Sequence, residues 1–346
     1  MSSDPHSTGL DATSRLSDEL DRVEARLRHF STLERETLTG ITRHLVDAGG
    51  KRLRPLLVLA AAAASSTCTP LPSRTIDAAA CVELLHLATL YHDDVLDSAA
   101  TRRGVPSGRQ LWGNHRAVLG GDLLLTLSFE AAGQLGIDEV LRLNSTLAEM
   151  CIGQIDESVT QFDHNRSVDQ YSMAVAGKTA SLMSTACWLG ASSVGSGPAT
   201  TKALSEFGTA LGHAFQLIDD ILDLVADEQL IGKPAGGDLR QGIYTLPVLF
   251  ALEDDPDLAT LLTAEISAEA VREVRERVSA TTAFGRSLSL AAEYIDLARR
   301  RLAEPALVPE GVELLNSIVH YVIALVDRSG LPAPSQELTT RLEAAS

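Results

Sequence analysis

The sequence predicts an all-α protein, and three observations carry that prediction. Hydrophobic residues make up 45% of the chain and aromatics only 4%, so the apolar content is mostly Ala, Leu, Val and Ile, which suits helix packing better than a β-sandwich. No proline falls between Pro106 and Pro198 or between Pro256 and Pro305, leaving long spans in which helices run unbroken. Within ALSEFGTALGHAFQLIDDILDLV the apolar residues Leu204, Phe207, Leu211, Phe215, Ile218 and Leu222 recur every three or four positions, the helical period, and strand-like alternation is scarce throughout.

In chain order, residues 1–11 read as a polar, flexible head, followed by an amphipathic helix over ATSRLSDELDRVEARLRHF. Further helices are expected near 31–47, 55–66, 74–97, 107–134, 137–163, 168–194, 200–226, 243–253, 264–279, 283–303 and 309–329. The second of these starts at Pro55, because proline is favoured at the first helical position. Loops are expected at CTPLPS, SVGSGPAT, GKPAGGD and EDDPDL, where Gly, Pro, Ser and Asp cluster. None is long enough to link domains, and the two aspartate-rich stretches have different flanks and no fixed repeat period. One helical domain over 12–330 with a polar tail at 331–346 is the expectation.

Charge and composition exclude several function classes. A formal net charge of -17 argues against a nucleic-acid surface, which needs clustered positive charge to displace counterions. The four cysteines, Cys68, Cys81, Cys151 and Cys187, are far apart with no CxxC pair, and read as reduced core residues. No apolar run reaches the roughly 18–20 residues of a membrane span, MSSDPHSTGL has no signal-peptide core, and there is no basic amphipathic end. A soluble cytoplasmic protein is expected, with at most a peripheral membrane contact.

The chemistry lies in two acidic stretches, LYHDDVLDSAATRRG from Leu90 and LIDDILDL from Leu217. On a helix, Asp93 and Asp97 are four residues apart on one face with Asp94 about 100° away, and Asp219, Asp220 and Asp223 repeat the pattern. A bare carboxylate pair at about 6 Å and an effective dielectric near 20 costs roughly 3 kcal/mol. Solvated acidic faces are the usual fate of such runs, but VELLHLATLYHDDVLD and FGTALGHAFQLIDDILDLV are apolar on nearly all sides. Two such helices facing each other would make a hard-oxygen site for Mg²⁺, which keeps waters and shares its coordination with substrate phosphates. Arg102 and Arg103, a turn and a loop beyond the first cluster, suit phosphate oxygens, as do Lys51, Arg52 and Arg54 in GGKRLRP at a helix start. AGKTASL is no nucleotide P-loop, since Ser172 stands where Walker A spacing requires glycine. Lys233 lies in the glycine-rich GKPAGGDLRQG.

Together these elements resemble the trans-isoprenyl diphosphate synthases of the polyprenyl synthetase family. GGKRLRP, DDVLD followed by RRGVPS, GKTASL, FQLIDDILD and GKPAGGDLRQGIYTLP occur in the family's order, and the likeness spans about residues 15–330. It implies a bundle of long helices around a deep central cavity (the isoprenoid synthase fold), usually a homodimer. It implies Mg²⁺-assisted condensation of isopentenyl diphosphate with an allylic diphosphate, with three ions per site in the substrate complex.

Position by position, the resemblance makes Asp93, Asp97 and Asp219 direct metal ligands, with Asp94, Asp220 and Asp223 supporting them or binding through water. Arg102, Lys178 and Lys233 would hold the allylic diphosphate, and Lys51, Arg54, His86 and Arg103 the isopentenyl diphosphate. Thr179 and Gln216 match positions whose oxygens stabilise the allylic cation. Ile243 and Tyr244 stand where many relatives carry a lysine after the glycine, which lowers the local charge. Ala88 and Thr89, about one turn before Asp93, are small where bulky aromatics stop growth at farnesyl in short-chain members, with Leu85 and Val82 further along the same face. The implied product is geranylgeranyl or longer, with hexaprenyl to decaprenyl favoured. A class I terpene cyclase and a non-catalytic subunit of a heteromeric synthase are the rival readings. The second aspartate run and the retained GGKRLRP weigh against both.

Overall fold

The computed structural model describes residues 11–225 and 235–327. The described residues are helical apart from loops and one two-stranded hairpin. By proximity of the backbone they fall into two compact units. The first comprises residues up to Thr146 together with Leu182–Ser205 and Leu302–Ile318; the second comprises Leu147–Ser181, Glu206–Arg301 and residues from Val319 on.

The expected N-terminal helix is two, α1 (Asp11–Arg15) and α2 (Ser17–Phe30), because Leu16 leaves helical geometry while its side chain enters the core. Buried Val23, Leu27 and Phe30, spaced four and three apart, form the inner stripe of α2. Helix α3 (Glu36–Asp47) starts five residues later than expected. The Ser31 and Thr32 hydroxyls donate to the Leu27 and Arg28 carbonyls and close off the end of α2. Helix α4 (Leu53–Ser65) begins two residues before Pro55, which therefore sits inside the first turn, where its missing N–H costs nothing.

Helix α5 (Ser73–Leu96) is the centre of this unit, packed against α2, α4 and the later α6, with Ala78–Val82, Leu84, Leu85, Leu87 and Ala88 all out of solvent. A hairpin unforeseen in the sequence follows: β1 (Thr101–Arg102) pairs antiparallel with β2 (Val105–Pro106). Arg103 and Gly104 form its two-residue turn with φ of 52° and 78°, the doubly left-handed geometry that tight hairpins favour. Helix α6 (Gly108–Leu135) is capped by the Ser107 hydroxyl, which accepts from the Gln110 N–H, and is broken at Gly113.

Helix α7 (Ile137–Val159) stops short of the expected 163, because Phe162 turns left-handed and donates its N–H to Gly242. The expected helix over 168–194 is interrupted: α8 (Val168–Val175), entered through a Ser167–Gln170 capping box, and α9 (Ser181–Ser193) flank a π turn at Ala176–Ala180. Helix α10 (Pro198–Val225) starts on its proline. Beyond it, α11 (Gly237–Gln241) begins in the last two residues of the expected GKPAGGD loop and runs past it, followed by α12 (Leu246–Asp254), a 3₁₀ turn (Pro256–Thr260), α13 (Ala268–Ser279), α14 (Ala283–Arg301) and α15 (Pro309–Asp327).

In the second unit α12 packs on α8, α13 and α14, burying Leu246, Val248, Leu249 and Phe250 with Val271, Val274, Val278, Phe284 and Leu288. Burying these nine side chains supplies stabilisation at roughly 1.5–3 kcal/mol each before the entropy of ordering is set against it. The cysteine expectation is half corrected: Cys81 and Cys187 are buried, whereas Cys68, in a loop, and Cys151, on the outer face of α7, are exposed.

Candidate functional site

The sequence-predicted residues fall into two sets, one in each unit. In the first unit the core packing of α5 decides what each aspartate does. Asp94 is fully buried and its Oδ1 accepts from Arg102 Nε at 2.7 Å. Asp93 is half-buried, and Asp97, the C-cap residue of α5, is exposed. Asp94 therefore anchors the hairpin that carries the arginines, while Asp93 and Asp97 retain the more accessible carboxylates.

The basic residues are sorted in the same way. Lys51 is exposed, whereas Arg52 is 6% exposed and turned inward. Arg52 Nε meets Glu24 Oε1 at 2.5 Å, its Nη1 meets Glu83 Oε1 at 2.8 Å, and its Nη2 donates to the Val46 carbonyl at 2.8 Å. Arg103 Nη2 lies 3.2 Å from the same Glu83 oxygen, and its Nη1 donates to the Gly49 and Leu45 carbonyls. Gly50 makes room for this, since a Cβ there would stand 2.9 Å from the Arg103 guanidinium carbon.

Arg54 Nη1 is 3.0 Å from His86 Nε2. A guanidinium only donates, so this nitrogen of His86 accepts and the proton of the neutral ring sits on Nδ1. Burial and the surrounding Arg54, Arg103, Arg102 and Arg52 charges hold His86 well below the usual histidine range, in keeping with a neutral ring. Burial, partly offset by Glu83, brings Arg54 down to about 10. On α5 the Ala88 side chain is buried, and the half-buried Thr89 donates its hydroxyl to the His86 carbonyl at 2.8 Å.

In the second unit the π turn presents Lys178 and Thr179. Two glycine contacts hold it. A Cβ on Gly177 would stand 2.5 Å from the Glu149 carbonyl of α7, and one on Gly212 would stand 2.5 Å from Ala180 Cα, so both neighbouring helices touch main chain to main chain. Lys178 Nζ pairs with Glu157 Oε2 at 2.5 Å. Thr179 Oγ1 donates to Gln216 Oε1 at 2.7 Å, Gln216 Nε2 donates to Asp220 Oδ1 at 2.7 Å, and the Tyr171 hydroxyl donates to Asp220 Oδ2 at 2.5 Å. This chain fixes which way the Gln216 amide points.

Asp220 is buried while Asp219, one residue before it, is exposed. Asp223 accepts from the Gly237 and Asp238 N–H groups at 3.1 and 3.2 Å, tying α10 to the start of α11. Burial pushes Asp220 up to about 7. Burial followed by the charges of Asp223, Asp220, Asp219 and Glu157 raises Asp238 well above the carboxylate range. Lys233 lies outside the described residues.

The donor set fits a divalent cation of the Mg²⁺ kind in chemistry: oxygen-only, acidic, and with buried carboxylates whose protons an adjacent cation would displace. Among the described residues no three His, Cys, Asp or Glu side chains close on a metal position by themselves.

Four contributing residues were not singled out in the sequence: Glu83, Glu157, Tyr171 and Asp238. Asp238 lies inside GKPAGGDLRQG and was legible there; Glu83, Glu157 and Tyr171 carry no local signal, because their roles are set by partners 20 to 49 positions away.

The family profile described as Polyprenyl synthetase matches residues 35–281. A nonaprenyl diphosphate synthase of Mycobacterium tuberculosis is 37% identical over 294 residues, 84% of this chain and 87% of that protein. Component 2 of a heptaprenyl diphosphate synthase from Geobacillus stearothermophilus is 36% identical over 310 residues, 89% of this chain and 96% of that protein. Among solved structures, a polyprenyl synthase from Caulobacter crescentus complexed with calcium and isoprenyl diphosphate superposes with a TM-score of 0.86 at 31% identity, covering 92% of this chain and 98% of that one. With the profile spanning most of the chain and relatives above 30% identity aligned along nearly their whole length, this chain belongs to the polyprenyl synthetase family, the prenyltransferases that make prenyl diphosphates.

Proposed function

We propose that this chain condenses isopentenyl diphosphate with an allylic diphosphate to make a trans-polyprenyl diphosphate, using Mg²⁺, with three ions per site in the substrate complex. The observation that carries the reading is the retention of both aspartate runs and the principal basic residues in a chain this similar to synthases named for nonaprenyl and heptaprenyl products. The allylic C–O bond breaks and diphosphate leaves, the isopentenyl double bond attacks the allylic carbon, and a proton is then lost to form the new double bond. Mg²⁺, when bound, neutralises charge on the leaving diphosphate. By the resemblance, Asp93, Asp97 and Asp219 would be its ligands, with Asp94, Asp220 and Asp223 supporting them or binding through water.

Arg102, Lys178 and Lys233 serve the allylic diphosphate, and Lys51, Arg54, His86 and Arg103 the isopentenyl diphosphate. The oxygens of Thr179 and Gln216, oriented by their mutual bond, face positive charge developing on the allylic carbon.

A product of geranylgeranyl length or longer, with hexaprenyl to decaprenyl favoured, is supported by the small Ala88 and Thr89. Relatives also include a geranylgeranyl diphosphate synthase of Methanosarcina mazei at 35% identity, so chain length rests on those side chains and not on names. Purified protein incubated with Mg²⁺, isopentenyl diphosphate and farnesyl diphosphate should yield prenyl diphosphates longer than farnesyl; no product with any allylic primer would sink the reading.

A homodimer is the proposed assembly. Apolar side chains left exposed on α6, Leu111, Val118 and Leu119, support a partner surface. The relative named component 2 favours a second possibility, a different partner chain. Light scattering on the purified chain, with activity measured on the same fractions, separates the two. We place the protein in the cytoplasm with at most a peripheral membrane contact; no described helix is long and apolar enough to cross a membrane.

A further inference from the structure

We propose that Glu83 is a positioning residue for isopentenyl diphosphate: its buried carboxylate clamps two arginine-bearing loops in place and so aims the cations that grip this substrate. The inference rests on the proposed function above and goes beyond it, since Glu83 touches no substrate itself.

Four non-glycine residues among those described have left-handed backbone: Arg52, Ser98, Arg103 and Phe162. Two of them, Arg52 at φ 48° and Arg103 at φ 52°, send their guanidiniums to one oxygen of one carboxylate, Glu83 Oε1, at 2.8 and 3.2 Å. Glycine or asparagine suits such backbone better than arginine. A long cationic side chain at both places therefore points to a requirement for the side chain, and the requirement visible in the structure is the shared carboxylate.

One clamped residue adjoins a cation assigned to isopentenyl diphosphate, and the other is such a cation. Arg52 is the N-cap of α4, so its conformation sets where Arg54, two residues on, leaves the helix to meet His86. Arg103, in the hairpin turn, is itself assigned to isopentenyl diphosphate, whereas its neighbour Arg102 is held separately, its Nε bonded to Asp94. Glu83 itself is 1% exposed, near the middle of α5 and three residues before His86 on the same helix, so the anchor does not move with the loops it holds. Its charge also works directly: it is the largest influence opposing the lowering of Arg54 by burial.

The test is Glu83→Gln, which keeps the shape and removes the charge, with Glu83→Asp as the variant that keeps the charge and retracts it by one methylene. For Glu83→Gln the KM for isopentenyl diphosphate should rise at least about tenfold, while kcat at saturating isopentenyl diphosphate and the KM for farnesyl diphosphate stay within about threefold of wild type. Glu83→Asp should fall between the two. Amide exchange of residues 49–52 and 101–104 should quicken in Glu83→Gln, a readout independent of turnover.

A variant whose two KM values move together, or not at all, overturns the proposal, as does lost kcat that excess isopentenyl diphosphate does not restore. If Glu83→Gln fails to fold, the split is read from Glu83→Asp, where unchanged KM for isopentenyl diphosphate overturns it. Wild type that makes no prenyl product would instead sink the functional reading, and unchanged exchange in the two loops would sink the clamp alone.

Discussion

Replacing Gly177 by alanine sets two opposed effects against each other, and the structure decides between them. In an open helix, glycine to alanine stabilises by about 0.5–1 kcal/mol, because glycine loses more backbone freedom on folding. At Gly177 the new Cβ would stand 2.5 Å from the Glu149 carbonyl oxygen and 3.0 Å from Gly153 Cα. Both are main-chain atoms of α7, so no side chain can rotate away, and the π turn must retreat by roughly 1 Å. Overpacking of this kind costs about 1–3 kcal/mol, which exceeds the propensity gain. The net loss is then on the order of 1–2 kcal/mol, a fall in melting temperature of a few degrees. Because Lys178 and Thr179 move with the turn, kcat should fall by roughly 10- to 100-fold. Gly133→Ala is the control: that glycine is exposed on α6 with open space around it, so the same change should raise the melting temperature slightly and leave kcat alone. Thermal melts and steady-state kinetics of both variants are the assay. If Gly177→Ala melts at or above wild type with normal turnover, the steric argument is wrong.

The neutral His86 makes stability depend on pH with a definite sign. Its folded pKa lies below the unfolded 6.5, so the unfolded chain binds the extra proton; the contribution is full above pH 6.5 and is lost as pH falls. Urea unfolding from pH 7.5 to 5.5 should show wild type losing ground to His86→Gln by roughly 1.4 kcal/mol per pH unit below 6.5. A flat difference refutes the assignment. The difference is the quantity to follow, because Asp220, pushed up to about 7, contributes with the opposite sign in the metal-free chain. Asp219→Asn should raise the Mg²⁺ concentration for half-maximal activity at least severalfold, and chelation should stop product formation until Mg²⁺ is restored; activity indifferent to chelator would remove the metal from the account. Ala88→Phe or Thr89→Phe should shorten the product made from farnesyl diphosphate and labelled isopentenyl diphosphate, and an unchanged product distribution would show that neither position limits chain length.

Much of the site was legible because it is local. Three aspartates within five residues, two arginines in RRG and the lysine of GKT declare themselves by spacing on a single helix or turn. Their division of labour was not. Nothing in DDVLD or DDILD says that Asp94 and Asp220 are buried and committed to Arg102, Tyr171 and Gln216 while Asp97 and Asp219 stay exposed. That depends on what packs against each helix. The hairpin at 101–106 was missed for a related reason: two-residue strands are too short to show alternation.

The all-α class, the order of the helices and the chemical character of the two acidic stretches follow from the sequence alone, because helical periodicity and carboxylate spacing are properties of residues within a few positions of one another. The π turn under Lys178, the inward face of Arg52 and the Glu83 clamp were decided only by tertiary structure, since each rests on contacts between segments far apart in the chain. A buried charge has no meaning in sequence until folding removes its water and supplies the partner that must replace it.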